Sequence, residues 1–387
     1  MKRRFLKIIN RVRAAFEVKA PDIFRLAPPS TPRGTVVISY LLWPFLEGID
    51  SPKARGHTNA WEAVAMAHVF LELGYKVEII DWQNRSYLPP DDCRVVIDID
   101  SNIERWNALL PKGCLKIFHA TGPHWIQSNI GELTRIEAIR RRKGVSLLPR
   151  RQVQYNRGAE LADHITVLGN DYTILTYQPA KIPITRIPIS SAYEYPWPEN
   201  RNFESARKNF FWLSSYGMAW KGLDLALDAF AEMPDLHLTV CGRPEKEPDF
   251  FEIYKKELLH TANIKLVGWM DLSSAEFRGM AETHASVVQL GSAEGGGGSA
   301  IHCMHAGMIP ICTPENSIDL MDFGYLVDPP TVERVKQVCR QISTSPPSAL
   351  EDRARAAYAH VNRVHTRNSF AQSFRSFAES LQNRIVA

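Results

Sequence analysis

The chain has 387 residues, of which 45% are hydrophobic, 23% charged and 10% aromatic. Those fractions exclude a largely disordered chain and suffice for two packed domains, while no run reaches the roughly 18 apolar residues of a membrane-spanning helix. The formal charge is +4, but the first 17 residues, MKRRFLKIINRVRAAFE, carry six Lys or Arg against one Glu, so the excess is local and argues against a nucleic-acid binder.

Residues 1–30 read as a basic N-terminal extension. Phe5, Ile9, Val12 and Phe16 recur at helical spacing, with Lys2, Arg3, Lys7, Arg11 and Arg13 filling the other faces. Two readings fit: a helix lying on an anionic membrane surface, or a terminal helix docked on the body. Asn10, Arg11 and Arg13 interrupt the apolar core that a cleavable secretion signal needs. The six cysteines, at 93, 114, 241, 303, 312 and 339, form no CxxC pair. They read as reduced thiols of a cytoplasmic protein.

A strand is predicted at the opening of TVVISYLLWPF, 35–45. A helix follows over 59–74, with Asn59 as cap, Glu62 at the capping-box position and Gly74 as its stop. YKVEIIDW, CRVVIDID (93–100) and CLKIFHATG (114–122) are the next strands. A long polar stretch holds Arg140, Arg141, Arg142, Arg150 and Arg151, which reads either as a site for an acidic acceptor or headgroup, or as a solvated face. ITVLG (165–169) and ITRIPIS (184–190) complete a domain assigned to 31–195. The Pro-rich, aperiodic stretch 191–209 marks the boundary, with 196–209 as linker.

The alternation then repeats over 210–345. FFWLSS (210–215) is a strand and GLDLALDAFAEM a helix. Strands follow at 236–242, 264–269, 285–291, 309–313 and 325–330. A helical tail, 346–387, is expected to pack across both domains. Two open α/β domains in tandem leave a crevice at the carboxyl ends of their strands, where ligands bind.

Between the strands at 285–291 and 309–313 lies AEGGGGSAIHCMHAGM. The loop Glu294 to Gly298 runs into a helix starting near Ser299, whose first amides lie open to an anion. Glycine lets the ligand approach without a Cβ in the way. A diphosphate suits that geometry. No GK[ST] follows, so this is not a P-loop. No G-x-G-x-x-G follows the first strand, which argues against NAD. His302 and His305 with Cys303 between them lack a third zinc ligand at clear spacing. Asp98 and Asp100 share a strand face and read either as a conceivable glycosidase pair or, preferred, as the end of the third strand near the domain interface.

The second half resembles the C-terminal domain of the retaining GT-B glycosyltransferases of family 4. The run from Glu294 through Gly295, Gly296 and Gly297 to His302 is similar to that family's E-G-F-G-x-x-x-x-E segment, and Gly307 and Pro310 continue it. SSYGMAWKGLDLALDAF resembles the family's strand, loop and K-G start, and DFGYLVDPP its G-x-L-V-x-P stretch. The resemblance covers about 205–330 strongly, and is weaker but coherent at 56–122. It implies a GT-B α/β fold, two Rossmann-like domains facing across a cleft, and sugar transfer from a nucleotide diphosphate with retention.

The site residues it implies are these. Lys221 contacts the donor diphosphate, Glu294 the sugar hydroxyls, and the amides of Gly295, Gly296, Gly297, Gly298 and Ser299 the sugar and phosphates. His119 lies near the acceptor and the reacting carbon, and Thr313, by our placement, near the phosphates. Two positions depart from the pattern. The family's ribose-binding glutamate is His302 here, which cannot chelate both hydroxyls as a carboxylate does. The arginine often found five residues before the lysine is Tyr216, leaving Arg243 to compensate.

No tightly bound cofactor and no metal is expected. The expected partners are a nucleotide sugar, a glycan or lipid-linked acceptor and, through the basic extension, an anionic membrane surface. The setting this implies is envelope polysaccharide or glycolipid assembly by a peripheral protein at the cytoplasmic face. The alternatives are a non-catalytic sugar-nucleotide binder, or another GT-B enzyme such as a phosphorylase or sugar-nucleotide epimerase.

Overall fold

The computed structural model describes residues 22–385; the basic segment read from the first 17 residues lies outside them. The first sheet comprises β1 (Phe24–Leu26), β2 (Thr35–Tyr40), β3 (Lys76–Asp81), β4 (Cys93–Asp98), β5 (Leu115–Ala120), β6 (His164–Leu168) and β7 (Ile184–Ile187). Their order is β1-β3-β2-β4-β5-β6-β7. All neighbours are parallel except β1, which runs antiparallel to β3 at the edge. Three residues carry no periodicity, so β1 has no sequence signature; Arg25 anchors it on Glu78 at 3.2 Å.

The second sheet comprises β8 (Asn209–Leu213), β9 (His237–Cys241), β10 (Ile264–Gly268), β11 (Ser286–Gln289), β12 (Ile309–Cys312) and β13 (Tyr325–Leu326). Its order is β10-β9-β8-β11-β12-β13, all parallel. Strands such as TVVISY are buried along their whole length because helices cover both faces. That burial is why they read as apolar runs rather than alternations.

Local departures from the sequence reading have plain causes. The strand predicted over 35–45 ends at Tyr40, and Trp43–Glu47 is a short helix opened by Pro44. The helix predicted from Asn59 is Thr58–Glu72, capped by the His57 ring, which accepts the Ala60 amide at 3.3 Å. Glu62 is therefore no capping-box partner. It is fully buried and accepts the Ser190 amide at 2.8 Å.

The two sheets are joined in three ways. The crossover Ile187–Asn209 is one. The C-terminal helices are another: Pro347–Val364 packs Ala357 and Val361 on Met304 and Cys312 of the second domain, and Arg367–Ser380 packs Phe370, Phe374 and Phe377 on Phe70 of the first. The third is electrostatic. From the first domain's helix Trp125–Lys143, Arg135 meets Asp224 at 3.2 Å and the Leu290 carbonyl at 2.9 Å. Arg142 meets Asp224 at 2.6 Å and Asp228 at 2.8 Å, and Lys143 meets Asp228 at 2.7 Å. Arg150 pairs with Asp249 and Glu247. Much of the basic stretch read as an acceptor site is therefore an interdomain staple, its charge matched by the second domain. Arg140 and Arg141 pair with Glu137 at the surface.

Candidate active site

Each sheet has one point where successive connections reverse direction: between β2 and β4 in the first, between β8 and β11 in the second. Crevices open at the carboxyl ends of such strands. Here the two openings face each other and merge into one cleft of about 1110 Å³. The first domain contributes the ends of β4 and β5 and the helix starts at Thr58 and Trp125. The second contributes the loops after β8, β9, β10 and β11.

The glycine run is the second domain's side of the narrowest approach. A Cβ on Gly295 would lie 1.9 Å from the Thr121 carbonyl oxygen of the first domain. Gly296, at φ 92°, packs on Ile189 and Gly169 and does not line the cleft. Gly297, at φ 53°, is the cap of the helix Gly298–His305, and a Cβ there would strike Ile318. Gly295, Gly297, Gly298 and Ser299 do line the cleft. The amides of Gly297, Gly298 and Ser299 donate to no protein acceptor among the described residues. The run thus serves two ends, close domain contact and open helix-start amides.

Lys221 and Glu294 meet in this cleft, Nζ to Oε2 at 2.5 Å, with side chains 14% and 8% exposed. Lys221 follows the loop after β8, and the Gly222 turn at φ 73° directs the chain into the helix Leu223–Ala231. A Cβ on Gly222 would lie 2.2 Å from the Leu290 carbonyl, so the turn is pressed against the end of β11. Glu294 is fixed by its amide, which donates to the Glu315 carbonyl at 2.7 Å. Its Oε1 is buried and unpartnered, as is Nε1 of neighbouring Trp220. Both residues line the cleft, yet these two atoms are buried with their hydrogen bonds unmade, which costs stability.

Four other sequence candidates sit differently from expectation. His302 borders the cleft, but both ring nitrogens are committed: Nδ1 donates to the Gly298 carbonyl at 2.7 Å, and Nε2 accepts the Ala192 amide at 3.0 Å. Burial lowers its pKa to about 4, so it is a neutral clamp with no hydrogen bond left for ribose. His119 lies beneath the cleft wall formed by its neighbours Phe118 and Ala120, because successive residues of β5 point to opposite faces. Its Nδ1 meets Thr166 Oγ1 at 2.8 Å, its Nε2 is unpartnered, and burial lowers its pKa to about 4. Thr313 donates its hydroxyl to the Gly291 carbonyl at 2.6 Å, tying β12 to the end of β11, and is absent from the cleft lining. Arg243 also falls outside the lining, its guanidinium stacked 5.3 Å over the Trp269 ring.

Asp98 and Asp100 form no catalytic pair. Asp98 accepts the Ile103 amide at 2.9 Å and is raised by burial to about 6, while Asp100 binds Arg85 at 2.6 Å. All six cysteines are free and buried. No group of three or more potential metal ligands occurs among the described residues. The cleft also holds Arg151 of the basic stretch and three side chains that the sequence did not mark: Trp220, Trp269 and Tyr193. Aromatics in loops carry no motif, so only their place in space identifies them.

Two parallel, Rossmann-like sheets facing across a cleft, with crossing C-terminal helices, define the GT-B fold. Solved structures share it. TarM matches at 14% identity and TM-score 0.52, over 76% of this chain and 56% of its own. WaaG, a glycosyltransferase involved in lipopolysaccharide biosynthesis, matches at 15% identity and TM-score 0.52, over 89% and 99%. HepE of Anabaena, solved with UDP and glucose, matches at 12% identity and TM-score 0.54, over 90% and 99%. The chain thus spans little more than half the length of TarM. No protein-family model and no curated protein sequence matches it.

Proposed function

We propose that this protein is a retaining glycosyltransferase that moves a hexose-like sugar from a nucleotide diphosphate to a glycan or lipid-linked acceptor. The observation that carries this reading is the Lys221–Glu294 pair beside open helix-start amides, inside a cleft between two facing sheets. A diphosphate needs cations and donors; a sugar needs an acceptor for its hydroxyls. Lys221 and the amides of Gly297, Gly298 and Ser299 supply the first, and the Glu294 carboxylate the second. That WaaG and HepE share the fold, the latter binding UDP and glucose, agrees with it.

In the reaction the bond between the anomeric carbon and the phosphate oxygen breaks, and both electrons leave with the diphosphate. The acceptor hydroxyl oxygen bonds the same carbon from the same face, and its proton passes to the departing phosphate oxygen. Charge thus grows on the diphosphate, where Lys221 and the amides lie preorganised; one such contact is worth roughly 3 kcal/mol. The reading takes the positive potential from the helix-start amides and the protein's own cations, and so calls on no divalent ion. Nor does it need a histidine base, in keeping with His119 lying behind the cleft wall. The setting we infer is the cytoplasmic face of a membrane, where a lipid-linked acceptor is presented.

The test is transfer from a panel of UDP-, GDP- and ADP-sugars, with product configuration read by anomeric NMR couplings. Lys221→Ala should bind donor weakly and lose transfer by about 100-fold or more. Near-wild-type turnover in that variant sinks the mechanism. A second reading, sugar-nucleotide binding without transfer, is favoured by the commitment of both His302 nitrogens, which leaves ribose without that partner. Donor binding with neither transfer nor slow hydrolysis selects it.

A further inference from the structure

Resting on the nucleotide-sugar reading, we propose that Arg151 of the first domain is the second cation on the leaving diphosphate, delivered across the cleft to the phosphate loop of the second. The argument begins with charge. Lys221 is matched by Glu294 at 2.5 Å, so that pair alone presents no net positive charge to an anion. The other cations lining the cleft are mostly spent. Lys53 is held by Glu47 at 2.8 Å, and Arg150 by Asp249 and Glu247. Arg151 lines the same cleft and has no carboxylate partner among the described residues.

Its position is constructed. The buried Glu132 carboxylate accepts the amides of Arg150 at 2.6 Å and Arg151 at 2.8 Å, and the Gln152 side chain at 2.9 Å. Consecutive side chains therefore diverge: Arg150 reaches the acids behind the cleft, and Arg151 reaches into it. There its guanidinium lies 5.6 Å over the Trp220 ring. Its methylenes would stand 3.4 and 3.5 Å from a Cβ on Gly217. Both contacts belong to the loop that ends in Lys221, the loop that carries uncharged Tyr216. Stacking on Trp220 holds the cation without neutralising it. A planar, always-charged fork suits a phosphate oxygen pair. Because Arg151 and its seat come from different domains, the cation is in place only when the domains are together.

The test measures, by calorimetry on the full chain, the affinity of UDP, GDP and ADP and of their monophosphates. Arg151→Gln should weaken the best diphosphate about 10- to 100-fold while weakening its monophosphate much less, so the diphosphate preference collapses. Arg151→Lys should restore part of that preference. The unliganded melting temperature should not move, since the side chain is solvent-facing. An unchanged diphosphate affinity, or equal losses for both nucleotides, overturns the inference while leaving the donor reading intact. Failure of the wild-type protein to bind any of these nucleotides overturns the donor reading, and this inference with it.

Discussion

Gly295→Ala tests the glycine run directly. The added Cβ would sit 1.9 Å from the Thr121 carbonyl oxygen, well inside the 3.0 Å that real Cβ atoms essentially never breach. The obstacle is backbone on the other side of the cleft, with 2.5 Å to the Thr121 carbonyl carbon and 2.8 Å to the Gly122 amide nitrogen. No flexible side chain can yield, so the two walls must part by at least about 1.1 Å. A misplacement of about 1 Å at a reacting centre costs on the order of 100-fold in rate. That corresponds to about 2.7 kcal/mol of transition-state stabilisation. The assay pairs transfer kinetics with small-angle scattering. The variant should lose about 100-fold in kcat/KM and show a larger radius of gyration with donor bound, while each domain's core is untouched. Gly298→Ala is the control for closure: its Cβ would meet only Ile189 Cδ1 at 3.7 Å, an ordinary contact, so its scattering curve should match wild type. Wild-type kinetics and scattering in Gly295→Ala would refute the idea that this glycine is required by domain contact.

Two further outcomes are expected. Asp224→Ala removes the carboxylate on which Arg135 and Arg142 converge, leaving the Arg135 guanidinium, 6% exposed, with the Leu290 carbonyl as its hydrogen-bond acceptor among the described residues and Glu315 as a nearby charge. Breaking such a buried pair costs about 3–5 kcal/mol, to be read as a lower urea midpoint; a shift under about 1 kcal/mol would show the staple to be weak. On acidification, His119, His284, His302 and His365 are each held near pKa 4 by burial, against an ordinary 6.5. The unfolded chain binds more protons between those values, so stability present above about pH 6.5 is lost as pH falls toward 4. Glu62 and Asp98, raised by burial to about 7 and about 6, act oppositely and favour the fold below those values, but they are two groups against four. Equilibrium unfolding from pH 7 to 4 should show a steady loss; a flat profile contradicts the buried neutral histidines.

The alternating strands and helices were legible in the sequence because parallel strands covered on both faces become apolar runs such as TVVISY and CRVVID, which no other local structure explains as simply. The glycine loop was legible for a similar reason: a helix start that leaves amides open needs residues in a fixed local order, and local order is what a sequence displays. Lys221 and Glu294 were marked only by resemblance; the structure brings the two together in the cleft. The fate of polar side chains was not, because it depends on what the opposite element offers. His302 reads as a ligand until its two nitrogens meet Gly298 and Ala192. Arg142 and Arg150 read as an acceptor patch until Asp224, Asp228 and Asp249 arrive from the other domain. Arg151 and Gly295 acquire meaning only from residues more than sixty positions away, across the cleft. Periodicity and turn chemistry act over a few residues and are written in the chain; hydrogen-bond and charge partnerships act through space, and only the packed tertiary structure decides them.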